Sequence, residues 1–137
     1  MDESLNLVLF SGTDDKLQAA AVLTAGAAAL GRPVNIFLQY WALDAFRATK
    51  IGGDHGLAPE AGAAGRVAVD ALARAGQATW AETLRQAKSL GGVDIEACSL
   101  SMDLLRLGTL DLDPLVDGVE GVTAFYLNAG DGQIVFI

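Results

Sequence analysis

Short apolar runs alternate with longer amphipathic segments along the chain, and this alternation predicts the order of its secondary structure. The runs are almost continuous in large apolar residues, as is typical of strands covered on both faces. We expect strands at residues 5–10, 33–38, 93–97, 119–122 and 133–137. Helical spacing predicts helices at residues 14–30, 42–48, 66–75, 79–91 and 101–107. Because a strand, a helix and a further strand form a right-handed parallel unit, this order predicts an α/β fold with a parallel sheet.

Three connecting segments have weaker patterns. Residues 123–129 fit either a helix or the first arm of a hairpin, and we prefer the helix because the other elements alternate. Residues 51–65 are rich in glycine, which predicts a mobile connection that could cover the carboxyl edge of the sheet as a lid. Asp113 followed by Pro114 is typical of a helix start, so we expect a short helical turn there.

The only cysteine, Cys98, lies where the third predicted strand runs into a helix. Such a junction is at the carboxyl edge of a parallel sheet, where open α/β folds place their sites. The amide groups that open the helix favour a thiolate at this position, whereas Glu96 and Asp103 would oppose it if their carboxylates approached the sulfur. On the residues alone, a small buried apolar cysteine is as good an interpretation as a functional thiol.

Composition narrows the classes of function. The 137 residues suffice for one domain, 1–137, with no internal boundary. The net charge of −8 argues against nucleic acid and anionic membranes as partners, because binding to phosphates needs clustered lysine and arginine. Residues 19–30 are apolar but too short to cross a bilayer. The start of the chain has no pattern of an export signal, so we expect a soluble protein of the cytoplasm.

The sequence contains few residues that could bind a soft metal ion. One cysteine and one histidine exclude an internal disulfide and are too few for a zinc or iron site. We therefore expect neither a metal nor a cofactor, and any role of Cys98 would be that of a single thiol.

A wider pattern surrounds the cysteine. Ala-Cys-Ser-Leu-Ser-Met-Asp-Leu-Leu at residues 97–105 is followed by Leu-Val-Asp-Gly-Val at 115–119. Upstream, Leu-Phe-Ser-Gly-Thr-Asp-Asp-Lys at 9–16 precedes an alanine-rich helix, and Val-Asn-Ile-Phe-Leu at 34–38 precedes Trp41. In this order the segments resemble the DsrE/DsrF-like family of small sulfur-relay proteins.

The resemblance implies a fold, an assembly and a function. It implies a three-layer α/β/α sandwich with a five-stranded, mostly parallel sheet, assembled into a homo-oligomer, either a trimer or a hexamer. It also implies that Cys98 carries a persulfide between a sulfur-donor and a sulfur-acceptor protein, as a carrier without turnover of its own. The alternative is a non-catalytic oligomeric binding module, for a small ligand or a protein, in which Cys98 is buried and inert.

Several residues are candidates for a pocket near the cysteine. Tyr40 and Trp41 follow the second strand and could form its walls, although such aromatic residues more often belong to a core or a subunit contact. His55 could reach the pocket as a proton donor or orienting group, with a solvated loop histidine as the commoner case. The remaining candidates are Gly12, Ser99 and Met102.

Overall fold

A single five-stranded sheet forms the centre of the molecule. The computed structural model describes residues 3–137. The strands are β1 (Leu5–Leu9), β2 (Val34–Leu38), β3 (Val93–Cys98), β4 (Gly118–Glu120) and β5 (Gln133–Phe136). Their order across the sheet is β4-β3-β2-β1-β5, and every neighbouring pair is parallel. The sequence predicted a mostly parallel sheet, and all of its pairs are in fact parallel.

Six α-helices connect the strands in the described part of the chain. They are α1 (Asp14–Ala29), α2 (Tyr40–Ala45), α3 (Gly62–Arg74), α4 (Trp80–Ser89), α5 (Ser99–Leu105) and α6 (Val122–Ala129). Two short 3-10 turns lie at Pro59–Ala61 and Thr109–Asp111. None of the helices within residues 3–137 has the length and apolar character that a bilayer crossing requires.

The strand order decides which helix covers which face of the sheet. From β1 the chain moves through β2 and β3 to β4 in one direction, and then crosses back to β5 on the far side of β1. Because parallel crossovers are right-handed, the helices of the first three connections lie on one face and α6 lies on the other. The predicted three-layer α/β/α sandwich is thus confirmed, with a thick helical layer on one face and one helix of eight residues on the other.

The two faces differ in chemistry because side chains alternate along each strand. The face under α1, α2, α4 and α5 is apolar, and its buried residues form the main core: Leu5, Leu7, Leu9, Val34, Ile36, Leu38, Ile95 and Ala97. The opposite face, which we call the α6 face, carries a second set of strand residues: Asn6, Val8, Asn35, Phe37, Asp94, Glu96, Cys98, Gly118, Glu120, Ile134 and Phe136. Many of these are polar, so the α6 face has only a small apolar cluster of its own, formed by Phe37, Cys98 and Phe125.

The connecting segments follow the sequence predictions in part. Residues 122–129 form a helix, as preferred over the hairpin. The glycine-rich connection was predicted to be mobile, but it is fastened to the start of α1 by hydrogen bonds. Asp14 N donates to Gly56 O at 2.9 Å, His55 N donates to Asp14 Oδ2 at 3.0 Å, and Ala58 N donates to Asp15 Oδ1 at 3.1 Å. After Asp113 the chain makes a single turn, in which Leu115 N donates to Asp113 Oδ1.

Candidate functional site

Cys98 is the last residue of β3 and the N-cap of α5, so the predicted strand-to-helix junction is where the cysteine lies. Its side chain is only 5% exposed. The sulfur belongs to an apolar cluster with Phe37 on β2 and Phe125 on α6, and Val8 packs against the same cluster. The rings of Phe37 and Phe125 stack with centroids 5.1 Å apart. The thiol is therefore enclosed between the sheet and α6.

Carboxylates share this side of the sheet with the thiol. Asp94, Glu96 and Cys98 alternate along β3, so their side chains point to the same face, with successive members about 7 Å apart. On the neighbouring strand Glu120 pairs with Cys98, and Gly118 pairs with Glu96. A Cβ at position 118 would lie 2.9 Å from Glu96 Oε2, so the glycine makes room for the carboxylate. The cysteine thus ends a row of acidic side chains.

Burial and like charge change the proton affinity of this row. Burial first, and then the negative charges of Asp94, Glu120 and Asp117, raise the pKa of Glu96 to about 7. Glu96 Oε2 is buried without a hydrogen-bond partner in the described structure, which adds to the cost of ionising it. Burial also raises the pKa of Asp94 and of Glu120, although the hydrogen bond from Asn128 opposes the change at Glu120. Near neutral pH, Glu96 is divided between its protonated and ionised forms.

Three of the predicted pocket residues lie together, but in a different place from the thiol. Gly12, Trp41 and His55 line a cavity of about 660 Å³ at the carboxyl ends of β1 and β2. Gly12 is in close contact with the backbone of Trp41, where any side chain would collide with the Trp41 carbonyl. The ring of His55 packs against Trp80, with centroids 5.6 Å apart. Cys98 does not line this cavity.

The other three candidates lie on α5 or next to it, and they have different surroundings. Tyr40 has φ 44°, its N donates to Ser101 Oγ at 3.0 Å, and its ring lies 4.9 Å from that of Phe10. Met102 is buried in the main core. Ser99 is exposed at the start of α5. The structure therefore does not bring the predicted pocket residues together around Cys98.

We did not predict the acidic row as part of the site, although the spacing of its residues is visible in the sequence. Asp94, Glu96 and Cys98 recur at every second position of a predicted strand, and this spacing places them on one face. The position of Phe125 beside the thiol had no such signal, because it depends on the crossing of α6 over the sheet. Asp103, the second carboxylate that flanks the cysteine in sequence, is exposed on α5. Within residues 3–137, no group of three or more histidine, cysteine or acidic side chains could hold a metal ion.

The raised pKa of Glu96 predicts that stability falls as the pH rises from about 4.5 to about 7, since the folded protein holds the proton more tightly than the unfolded chain does. Glu96→Gln should reduce this fall by on the order of 1 kcal/mol, well below the full value of the shift because the side chain is part-exposed. Urea unfolding at about pH 5 and about pH 8 measures it. Glu60→Gln makes the same change at an exposed carboxylate and should preserve the wild-type fall. Equal pH profiles for wild type and Glu96→Gln would contradict the prediction.

Comparison with known proteins adds a family and a fold. Residues 1–61 match the model of the DsrE/DsrF/DrsH-like family. The uncharacterized protein YrkE of Bacillus subtilis (strain 168) is 29% identical over 149 aligned positions, which cover 93% of this chain and 92% of that protein. The crystal structure of the ychN protein from E. coli superimposes with a TM-score of 0.58 at 14% identity and covers 100% of both chains.

A second solved structure, a protein of unknown function from Methanobacterium thermoautotrophicum, has a TM-score of 0.54 at 15% identity and covers 99% of this chain and 100% of its own. At these identities the two structures show a shared fold. The resemblance to the DsrE/DsrF-like family is confirmed by the match of residues 1–61, and the α/β fold is confirmed along the whole chain by the solved structures.

Proposed function

We propose that this protein is a sulfur carrier, which holds a persulfide on Cys98 and passes it to an acceptor thiol. The observation that carries the proposal is the position of Cys98, at the carboxyl end of β3 and the start of α5, in a chain whose residues 1–61 match the DsrE/DsrF/DrsH-like family. Its partners would be a sulfur-donor and a sulfur-acceptor protein of the cytoplasm, where thiols stay reduced.

The transfer requires no net oxidation. The Cys98 thiolate attacks the outer sulfur of a donor persulfide, so that a new S–S bond forms on Cys98 while the donor S–S bond breaks and the donor leaves as a thiolate. An acceptor thiolate then attacks the outer sulfur on Cys98 and restores the Cys98 thiolate. Since the chain has one cysteine, no second thiol of the same chain can end the sequence by forming an internal disulfide.

The surroundings of Cys98 bear on both steps. Phe37 and Phe125 keep water from the sulfur, which would protect a persulfide between its two transfers. Phe125 lies on α6, so a partner thiol would gain access when this short helix shifts. Protonation of Glu96, whose pKa is raised to about 7 by burial and by its acidic neighbours, removes one negative charge from the face on which the thiolate forms.

Incubation with a persulfide donor should raise the intact mass of the wild-type protein by the mass of one sulfur atom, and reduction with dithiothreitol should remove the increase. Cys98→Ser is the matched control, because it exchanges only sulfur for oxygen. The variant should gain no mass. If wild type and variant take up sulfur alike, or if neither does, Cys98 is not a sulfur carrier.

The enclosure of the thiol favours a second candidate function. A cysteine that is 5% exposed and surrounded by phenylalanine is also what a purely structural residue looks like. In that case the protein is a non-catalytic oligomeric binding module with an inert Cys98. The cavity beside Trp41 and His55 would then be one place for a small ligand or a partner segment.

Alkylation of the native protein distinguishes the two functions. A carrier should react with iodoacetamide while folded, at a rate that rises with pH as the thiolate forms. Phe125→Ala should increase that rate, because it removes the ring that covers the sulfur, whereas Phe46→Ala removes a buried ring outside the thiol cluster and should not. Labelling that occurs only after denaturation would support the binding module and contradict the carrier.

We further propose that the α6 face is where copies of the chain meet, in a trimer or a hexamer. This face has one helix over it, and it exposes five large apolar side chains: Val122, Tyr126, Leu127, Ile134 and Phe136. Contact between copies would remove this apolar area from water. The edge strand β5, which pairs only with β1, belongs to the same surface.

Leu127→Asp should dissociate such an oligomer, since it places a charge in the middle of the apolar contact. Light scattering after size exclusion should give a multiple of 14.2 kDa for the wild type and a smaller mass for the variant. Leu110→Asp is the control, because Leu110 is 98% exposed on a 3-10 turn and outside the α6 face. A monomeric wild type, or an unchanged mass for Leu127→Asp, would refute the interface.

A further inference from the structure

We propose that the cavity between α3 and the pair α1 and α4 binds a small, uncharged, apolar molecule. This site does not include Cys98 and adjoins the cavity beside Trp41, with which it shares Gly53 and Asp54. The proposal does not depend on sulfur transfer. The cavity has a volume of about 610 Å³, within the range of small-molecule pockets.

The helix α3 is amphipathic, yet it buries none of its residues. Arg66, Val69 and Ala73 recur at helical spacing and face the cavity together with Leu72, which is 50% exposed. A helix of 13 residues whose apolar side leaves a space below it gains little from packing. An apolar occupant would supply the contacts that α3 lacks.

Apolar side chains make up most of the cavity wall. Trp80 is almost fully buried beneath it, and Ile51 is buried beside it. The apolar lining residues are Ile51, Leu57, Val69, Leu72, Ala73, Ala78, Trp80 and Ala81. Transfer of an apolar molecule from water to such a wall is favourable in proportion to the area that both lose.

The charged groups of the wall already have partners within the protein. Asp14 accepts from Trp80 Nε1 at 2.9 Å, and Asp15 accepts from Ala58 N. Arg66 donates to Asp70 at 2.8 Å and to Asp54 at 3.4 Å, and Arg85 donates to Asp113 at 3.3 Å. Glu82 accepts from Thr79 Oγ1 at 3.2 Å. Each of these charged groups therefore has at least one partner within the protein.

The balance of charge excludes anions in particular. Four carboxylates and two guanidinium groups line the cavity, in a chain with a net charge of −8. An anionic ligand would be repelled by this excess and would find both arginines occupied. Most of the surface that the wall offers to a ligand is apolar, and this favours an uncharged alkyl or aromatic molecule.

Glycines with positive φ lie at both ends of α3. Gly62 has φ +61° and Gly76 has φ +84°, and a Cβ at either would meet no atom within 4 Å. These backbone conformations favour glycine for conformational reasons, since space for a side chain is present.

Titration with the uncharged probe 1-N-phenylnaphthylamine tests the proposal. The wild type should enhance and blue-shift the probe fluorescence saturably. Ala73→Phe places a ring in the cavity and should weaken binding about tenfold or more. Ala68→Phe is the matched control, because Ala68 is exposed on α3 and does not line the cavity, so that binding should stay at the wild-type level.

A second readout locates the probe. The chain has two tryptophans, so Trp41→Phe leaves Trp80 as the sole donor for energy transfer to the bound probe. Transfer should persist in Trp41→Phe and disappear on adding Ala73→Phe. No saturable enhancement in the wild type, or equal binding by Ala73→Phe and Ala68→Phe, would overturn the proposal. A change of oligomer mass in Ala73→Phe without any probe binding would assign the cavity to a second copy instead, and would also overturn it.

Discussion

The handedness of parallel crossovers is the constraint on which the rest of this structure depends. Three connections advance across the sheet in one direction and so stack their helices on one face, and only the return from β4 to β5 reaches the other face. The first face becomes the main core. The second receives eight helical residues, too few to cover five strands. Both the enclosure of Cys98 and the exposure of the apolar residues around it result from this imbalance.

The same imbalance explains the chemistry of the α6 face. A fully buried sheet face could not hold the carboxylates of Asp94, Glu96 and Glu120 so close together, because each carboxylate would lose its hydration. Partial cover permits the carboxylates and raises their pKa values. The thiol lies at the end of this row, under the one apolar patch that α6 creates. A sulfur carrier would need this combination of an enclosed thiol and a thin cover, whereas an inert cysteine would need only the enclosure.

The fold was largely predictable from the sequence because its signals are local. Continuous apolar runs such as residues 34–38, and helical spacing such as that of residues 79–91, give the elements and their order. The site was predictable only in part. The position of Cys98 at the end of β3 follows from the order of the elements along the chain. The separation of Cys98 from the cavity that Gly12, Trp41 and His55 line depends on the order of the strands in the sheet, which apolar patterns do not encode. The hydrogen bonds between the glycine-rich connection and α1 could not be predicted either, because Asp14 and Asp15 also fit the usual pattern of acidic residues in the first turn of a helix.

The hydrogen bonds at the start of α1 have a consequence for ligand recognition. In many α/β proteins the first helix after β1 offers its free amide groups to a phosphate. In this protein the Asp14 amide is taken by the carbonyl of Gly56, and the carboxylates of Asp14 and Asp15 accept from the same connection. The backbone of the glycine-rich connection thus occupies the position at which an anion would bind. A phosphorylated ligand at the start of α1 would have to displace the connection first.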